Sequence, residues 1–83
     1  MVQCQIAVTP QGFVALRTAP RDNAGLVARM RRGDEVAVVN DHPRVAGWLL
    51  VDHWRGPIPY DRSAPGGVRR GWVRTRFLGE CDI

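Results

Sequence analysis

Turn-forming residues divide this chain into short pieces, which limits the elements it can form. Nine glycines and six prolines are spread over 83 residues, and short runs rich in valine, leucine and alanine lie between them. Several runs alternate apolar and polar residues as strands do, while helical spacing is nearly absent. A chain of this length buries only about 60% of its unfolded surface and holds one modest core. We therefore expect one all-β domain spanning 1–83.

The predicted strands follow the apolar runs in order. They are "CQIAV", a short extended piece beginning at "FVALR", "LVARM", "EVAVVN", "WLLVDHW", "RRGWV" and a closing "LGEC". The segment "RRGD" predicts a tight turn at Gly33, where glycine adopts positive φ without steric cost. The proline-rich and glycine-rich "RGPIPYDRSAPGGV" predicts a long loop, and "RTRF" predicts a single helical turn.

Strand alternation also predicts which side chains form the core. In "EVAVVN" the inward residues are Val36 and Val38, and Glu35, Ala37 and Val39 point outward. In "WLLVDHW" Leu49 and Val51 share one face, opposite Trp48, Leu50 and Asp52. The predicted core residues are Leu16, Val36, Val38, Val51, Gly71, Val73 and Phe77. Gly71 allows close strand packing, and Phe77 closes the core from the helical turn.

The net charge of +4 raises the question of nucleic-acid binding, because all twelve basic residues are arginines. Aspartates and glutamates are interspersed among these arginines, so the pattern favours a solvated, mixed surface. A basic nucleic-acid-binding barrel is kept only as an alternative. No apolar run approaches the roughly 20 residues of a membrane helix, so we expect no membrane insertion.

The sequence does not predict an enzyme or a metal site. The serine at position 63 has no nucleophile context, and neither histidine has a partner at a fixed spacing. Zinc-ligand types occur at Cys4, His42, His53 and Cys81, but no pair has zinc-finger spacing. We therefore expect solvated histidines, no metal and no cofactor.

The two cysteines, Cys4 and Cys81, lie near opposite ends of the chain. In a cytoplasmic protein they would be free thiols, whereas in a small secreted domain they would form a disulfide. The residues alone leave both possibilities open.

Four segments in order resemble the bacterial Src-homology-3 (SH3b) family. They are "VALRTAP", "LVARMRRGDEVAVV", "GWLLV" and "GWVRTRFL", which together cover about residues 12–78. The resemblance implies a small five-stranded SH3-like barrel with a helical turn before the last strand. Terminal cysteines resemble those of an exported subset, which implies a Cys4–Cys81 disulfide between first and last strands. The location implied is periplasmic or extracellular, with a leader removed before Met1, or cytoplasmic if the cysteines are free.

The same resemblance implies a non-catalytic binding module of an envelope or secreted protein. Its partner would be a peptide, a cell-wall polymer or a protein, and a structural or protein-interaction role without wall binding is the alternative. A polyproline ligand is not expected, because Arg17 and Arg74 stand where the eukaryotic domains carry groove residues.

The expected ligand surface centres on Trp48, which strand alternation places outward beside the irregular loop 18–25. Arg17 is expected to stack on its indole ring. The aromatic residues Trp54 and Tyr60 in the following loop complete the predicted site, although folding over the barrel end is the alternative for Tyr60.

Overall fold

The computed structural model describes residues 2–39, 45–54 and 67–82, and in this part of the chain the structure is almost entirely β. The strands are β1 (Gln3–Ile6), β2 (Val14–Arg17), β3 (Leu26–Met30), β4 (Glu35–Val38), β5 (Trp48–His53), β6 (Arg69–Arg74) and β7 (Leu78–Asp82). One 3₁₀ turn, Thr75–Phe77, separates β6 from β7. The all-β class and the single helical turn before the last strand are confirmed. No helix in the described ranges has the length and apolar character needed to cross a membrane.

The strands form one antiparallel sheet in the order β3-β2-β6-β5-β4-β1-β7. The prediction of five strands closed into a barrel is wrong in both respects, because the described strands number seven and the sheet ends at β3 and β7. The first of the seven strands, β1, lies at the start of the chain. It pairs with β4 on one side and with β7 on the other.

The core lies on one face of the curved sheet and draws one or two side chains from most strands. Its fully buried members are Cys4, Ile6, Val14, Leu16, Met30, Val36, Val51 and Val73. Val38 and Phe77 are only partly buried against this cluster, so Phe77 lies at its margin. Ala37 lies on the strand face opposite Val36, as the alternation predicts, but it is 3% exposed and is directly opposed to buried Asp52 on β5.

A disulfide joins the two ends of the described chain. The sulfurs of Cys4 and Cys81 are 2.05 Å apart, and the two residues are directly opposed on β1 and β7. The predicted pair is therefore confirmed. Cys4 belongs to the core and Cys81 is exposed, so the bond fastens the edge strand β7 to the interior.

The β3–β4 turn has the backbone that the sequence predicts. Gly33 adopts φ +91°, a left-handed conformation that favours glycine. Its N–H donates to the carbonyl of Ile6 at 2.8 Å, which ties the turn to β1.

The end of β5 is buried, against expectation. His53 is 2% exposed, with Nε2 lying 3.0 Å from Oδ2 of Asp34, and Trp54 is 4% exposed. The interpretations of His53 as solvated and of Trp54 as an exposed loop residue are therefore wrong. Buried Asp52 accepts hydrogen bonds from Nε and Nη2 of Arg70 at 2.8 and 3.1 Å, which offsets part of the desolvation of its carboxylate.

Candidate binding groove

A groove of about 460 Å³ opens where the ends of β5 and β6 meet the segment before β2. Apolar, aromatic and arginine side chains line it together with one carboxylate. The lining residues are Val8, Pro10, Gln11, Phe13, Val14, Ala15, Arg17, Asp22, Trp48, Arg74, Arg76 and Phe77. We call this the Trp48 groove.

Trp48 and Arg74 both line the groove and form a cross-strand pair. They are directly opposed on β5 and β6, and the Arg74 guanidinium lies 4.5 Å from the centre of the Trp48 ring. Trp48 lies on the opposite strand face from Val51, as predicted, but it is only 7% exposed. The expectation of an exposed indole is wrong because the neighbouring strand supplies a guanidinium that covers the ring.

Asp22, in the irregular loop before β3, binds the edge of the Arg74 guanidinium. Nε of Arg74 donates to Oδ1 of Asp22 at 3.1 Å, and its Nη2 donates to Oδ2 at 2.6 Å. This two-bond arrangement fixes the plane of the guanidinium over the indole. The Asp22 side chain remains 69% exposed, against 31% for Arg74.

The Asp22–Arg74 pair changes the acid–base behaviour of both groups. The hydrogen bonds from Arg74, with the positive charges of Arg74, Arg76 and Arg17, hold the pKa of Asp22 below its ordinary value. The same hydrogen bonds raise the pKa of Arg74. Three guanidiniums therefore act on one exposed carboxylate at this end of the sheet.

We predict that carboxyl NMR titration gives Asp22 a lowered pKa that returns towards the ordinary aspartate value in Arg74→Gln. Because the pKa of Asp22 is lower in the folded state than in the unfolded state, the ion pair stabilises the folded state at pH values above the unfolded-state pKa. This stabilisation is lost as the pH falls through the folded-state pKa. Arg69→Gln, the same charge change at the other end of β6, is the control and should leave the Asp22 titration unchanged. An unchanged Asp22 titration in Arg74→Gln would contradict the assigned cause.

Arg17 lines the groove but does not make the predicted stacking contact. Its Nη1 donates to the carbonyl of Ala24 at 3.0 Å, which anchors the irregular loop to β2. Arg74 takes the position over Trp48 instead. Cross-strand register is the signal that could have identified it, because a β6 strand with Val73 opposite Leu49 places Arg74 opposite Trp48.

The groove walls carry two aromatic rings that the sequence did not assign to the site. Phe13 has the Arg29 guanidinium 5.1 Å from its ring centre, and Phe77 has that of Arg76 at 4.9 Å. Val8 also lines the groove and is 49% exposed. Phe13 directly follows the turn "TPQG", so the signal available was an aromatic residue at the start of a strand.

The other two predicted ligand residues do not join the groove in the structure. Trp54 is buried at the end of β5 and does not line it. Tyr60 lies outside the described residues, as does His42. Among residues 2–39, 45–54 and 67–82, no three histidine, cysteine or acidic side chains are grouped as metal ligands would be.

No known protein family, curated protein or solved structure matches this chain. The geometry of the Trp48 groove is therefore the basis for a functional proposal. Its chemistry combines apolar contact with fixed positive charge, which suits reversible binding of a partly apolar, anionic ligand.

Proposed function

We propose that this chain is a non-catalytic binding module, similar to the SH3b family, from a bacterial envelope or secreted protein. Its ligand is a peptide, a cell-wall polymer or a protein partner, and the Trp48 groove is where that ligand binds. The observation that carries the proposal is the groove itself, which is lined by the Arg74 guanidinium stacked on Trp48 and by the aromatic residues Phe13 and Phe77.

The size and composition of the groove support a binding role. Its volume of about 460 Å³ falls within the roughly 300–1,000 Å³ typical of ligand sites. Apolar walls supply contact area, and a few placed polar groups fix orientation. Because Arg74 is already held by Trp48 and Asp22, little side-chain freedom is lost when a ligand contacts it.

The disulfide supports an exported location. Disulfides persist in oxidising compartments and are common in small secreted domains, whose cores are modest. The Cys4–Cys81 bond, with its exposed Cys81 end, is compatible with a periplasmic or extracellular protein.

The arrangement over Trp48 argues against a polyproline ligand. Proline-rich peptides dock their rings on open aromatic faces in a groove. Here the Trp48 ring is covered by Arg74 and is 7% exposed, so a proline ring has little indole surface to contact.

A structural or protein-interaction module without wall binding is the second candidate. Measuring retention on peptidoglycan and on envelope proteins distinguishes it from wall binding.

The experiment measures retention of wild type, Phe13→Ala and Arg69→Ala on purified peptidoglycan and on immobilised envelope proteins. Phe13 lines the groove and is only partly buried, so its truncation should leave the fold intact. Arg69 lies at the other end of β6 and outside the groove, which makes its variant the matched control. We expect Phe13→Ala to weaken retention about ten-fold or more, as loss of an aromatic anchor does, and Arg69→Ala to behave as wild type.

Retention on peptidoglycan would support wall binding, and retention on envelope proteins alone would support the protein-interaction role. Wild-type protein that binds neither surface would contradict the proposed function. Undiminished retention of folded Phe13→Ala would show that the groove is not the site.

A further inference from the structure

The charge in the Trp48 groove is unbalanced towards positive. Arg17, Arg74 and Arg76 line it, whereas Asp22 is the only carboxylate among the lining residues in the described part of the chain. The lowered pKa of Asp22 reflects the influence of all three guanidiniums on that carboxylate. The groove therefore favours a negatively charged group at the position of Asp22.

The Asp22 carboxylate occupies that position, and a ligand carboxylate can replace it there. Asp22 reaches the groove from an exposed loop, and its side chain is 69% exposed. It occupies the Nε and Nη2 donors of Arg74, the edge of the guanidinium that binds a carboxylate through two parallel hydrogen bonds. Exposed ion pairs of this kind contribute little net stability, so an incoming carboxylate can exchange with it.

We propose that the Trp48 groove binds an acidic peptide segment, whose carboxylate replaces that of Asp22 on Arg74. A neighbouring apolar side chain of the peptide packs against Val8 and Phe13. This inference rests on the proposed function and names the ligand class for the same groove.

Arg74 remains in place during the exchange, because its stacking on Trp48 does not involve the donors that Asp22 occupies. One exposed ion pair replaces another, so the exchange itself is close to neutral. Net affinity then comes from the further positive charge of Arg17 and Arg76 and from the apolar contact, for which Val8, 49% exposed at the groove, is available. A peptide with a carboxylate next to an apolar side chain satisfies both requirements.

The same contacts favour a peptide over single-stranded nucleic acid. Nucleic-acid grooves combine positive charge with open aromatic faces on which bases stack. Here Phe13, Trp48 and Phe77 each carry a guanidinium over the ring, from Arg29, Arg74 and Arg76 respectively. A base would have to displace an arginine to stack, and it would then meet the negative charge of Asp22.

The test uses a hexapeptide with blocked termini that carries one glutamate next to one leucine, and the same peptide with glutamine in place of glutamate. Binding is measured by calorimetry at low salt, with a single-stranded oligonucleotide as a third probe. We expect the glutamate peptide to bind wild type about two- to five-fold more tightly than the glutamine peptide, because the groove arginines favour its added negative charge at an exposed position. The oligonucleotide should bind more weakly than the glutamate peptide.

Four variants test whether the peptide carboxylate binds Arg74 in place of Asp22. Arg74→Gln should abolish discrimination between the two peptides, and Arg74→Lys should lose most of it because lysine lacks the two-bond geometry. Arg69→Gln, with the same charge change outside the groove, should discriminate as wild type does. Asp22→Asn removes the internal competitor and should tighten binding of the glutamate peptide about two- to five-fold, the range expected when an exposed ion pair no longer has to be broken.

Equal affinity for the two peptides, or weaker binding to Asp22→Asn, would overturn this inference, as would an oligonucleotide that binds more tightly. Thermal unfolding of each variant confirms that it is folded. If the peptide results overturn this inference but Phe13→Ala still loses retention on peptidoglycan or envelope proteins, the proposed function stands and only the ligand class is wrong.

Discussion

Gly71→Ala is expected to destabilise the domain by about 3 kcal/mol, near the upper end of overpacking effects. A Cβ atom at Gly71 would lie 2.7 Å from Cγ of Leu16 and 2.8 Å from the carbonyl oxygen of Arg17. Leu16 is fully buried in the core, and the carbonyl belongs to the β2 backbone. Relief therefore requires β2 and β6 to move apart, and Gly71→Val should have a larger effect still. Chemical denaturation measures the change in the free energy of unfolding.

Gly25→Ala is the matched control for that substitution. Its Cβ would contact only the Thr18 side chain at 3.4 Å, and Gly25 is exposed. We expect a change within about 0.5 kcal/mol, as for ordinary surface substitutions. Equal stabilities for Gly71→Ala and Gly25→Ala would show that β2 and β6 are not packed as described.

Reduction of the Cys4–Cys81 disulfide is expected to lower the free energy of unfolding by about 4 kcal/mol. The bond links residues 77 positions apart. In the chain-entropy account, a closed loop of this size restricts the unfolded chain by about that amount. For a domain of this length, the loss corresponds to a fall of roughly 15–30 °C in the thermal midpoint. Calorimetry with and without a thiol reductant measures it.

The double variant Cys4→Ala/Cys81→Ala is the control, since its midpoint should be low and insensitive to reductant. Alanine at Cys4 keeps a small apolar group in the core, so the comparison isolates the covalent link from burial. A wild-type midpoint that reductant does not change, with reduction verified by mass spectrometry, would contradict the stabilising role of the bond.

Local sequence pattern predicted where the strands lie in the chain but not how they pair in the sheet. Each apolar run became a strand, and Gly33, Gly71 and the turn Thr75–Phe77 occupy the positions expected of them. The number of strands was wrong because the figure of five came from the resemblance, whereas the apolar runs taken one by one indicate seven. The partners of β1, which are β4 and β7, are distant in sequence, and no local signal specifies such pairing.

The candidate site was predicted only in part, for the same reason. Alternation placed Trp48 on the correct strand face, beside the loop that carries Asp22. Its burial depends on Arg74, which meets it through strand register and not through sequence proximity. Trp54 was misassigned because the prolines that follow indicated a loop, whereas the structure buries Trp54 immediately after β5.

A two-dimensional ¹H–¹⁵N NMR titration would show whether the Trp48 groove is the binding surface of this chain. The probe is a soluble peptidoglycan fragment mixture, titrated in parallel with the blocked glutamate peptide. We expect concentration-dependent shifts that are largest at the Trp48 indole, the Arg74 side chain and the Phe13 backbone amide. Shifts concentrated on edge strand β3, or spectra unchanged by saturating amounts of both probes, would contradict this expectation.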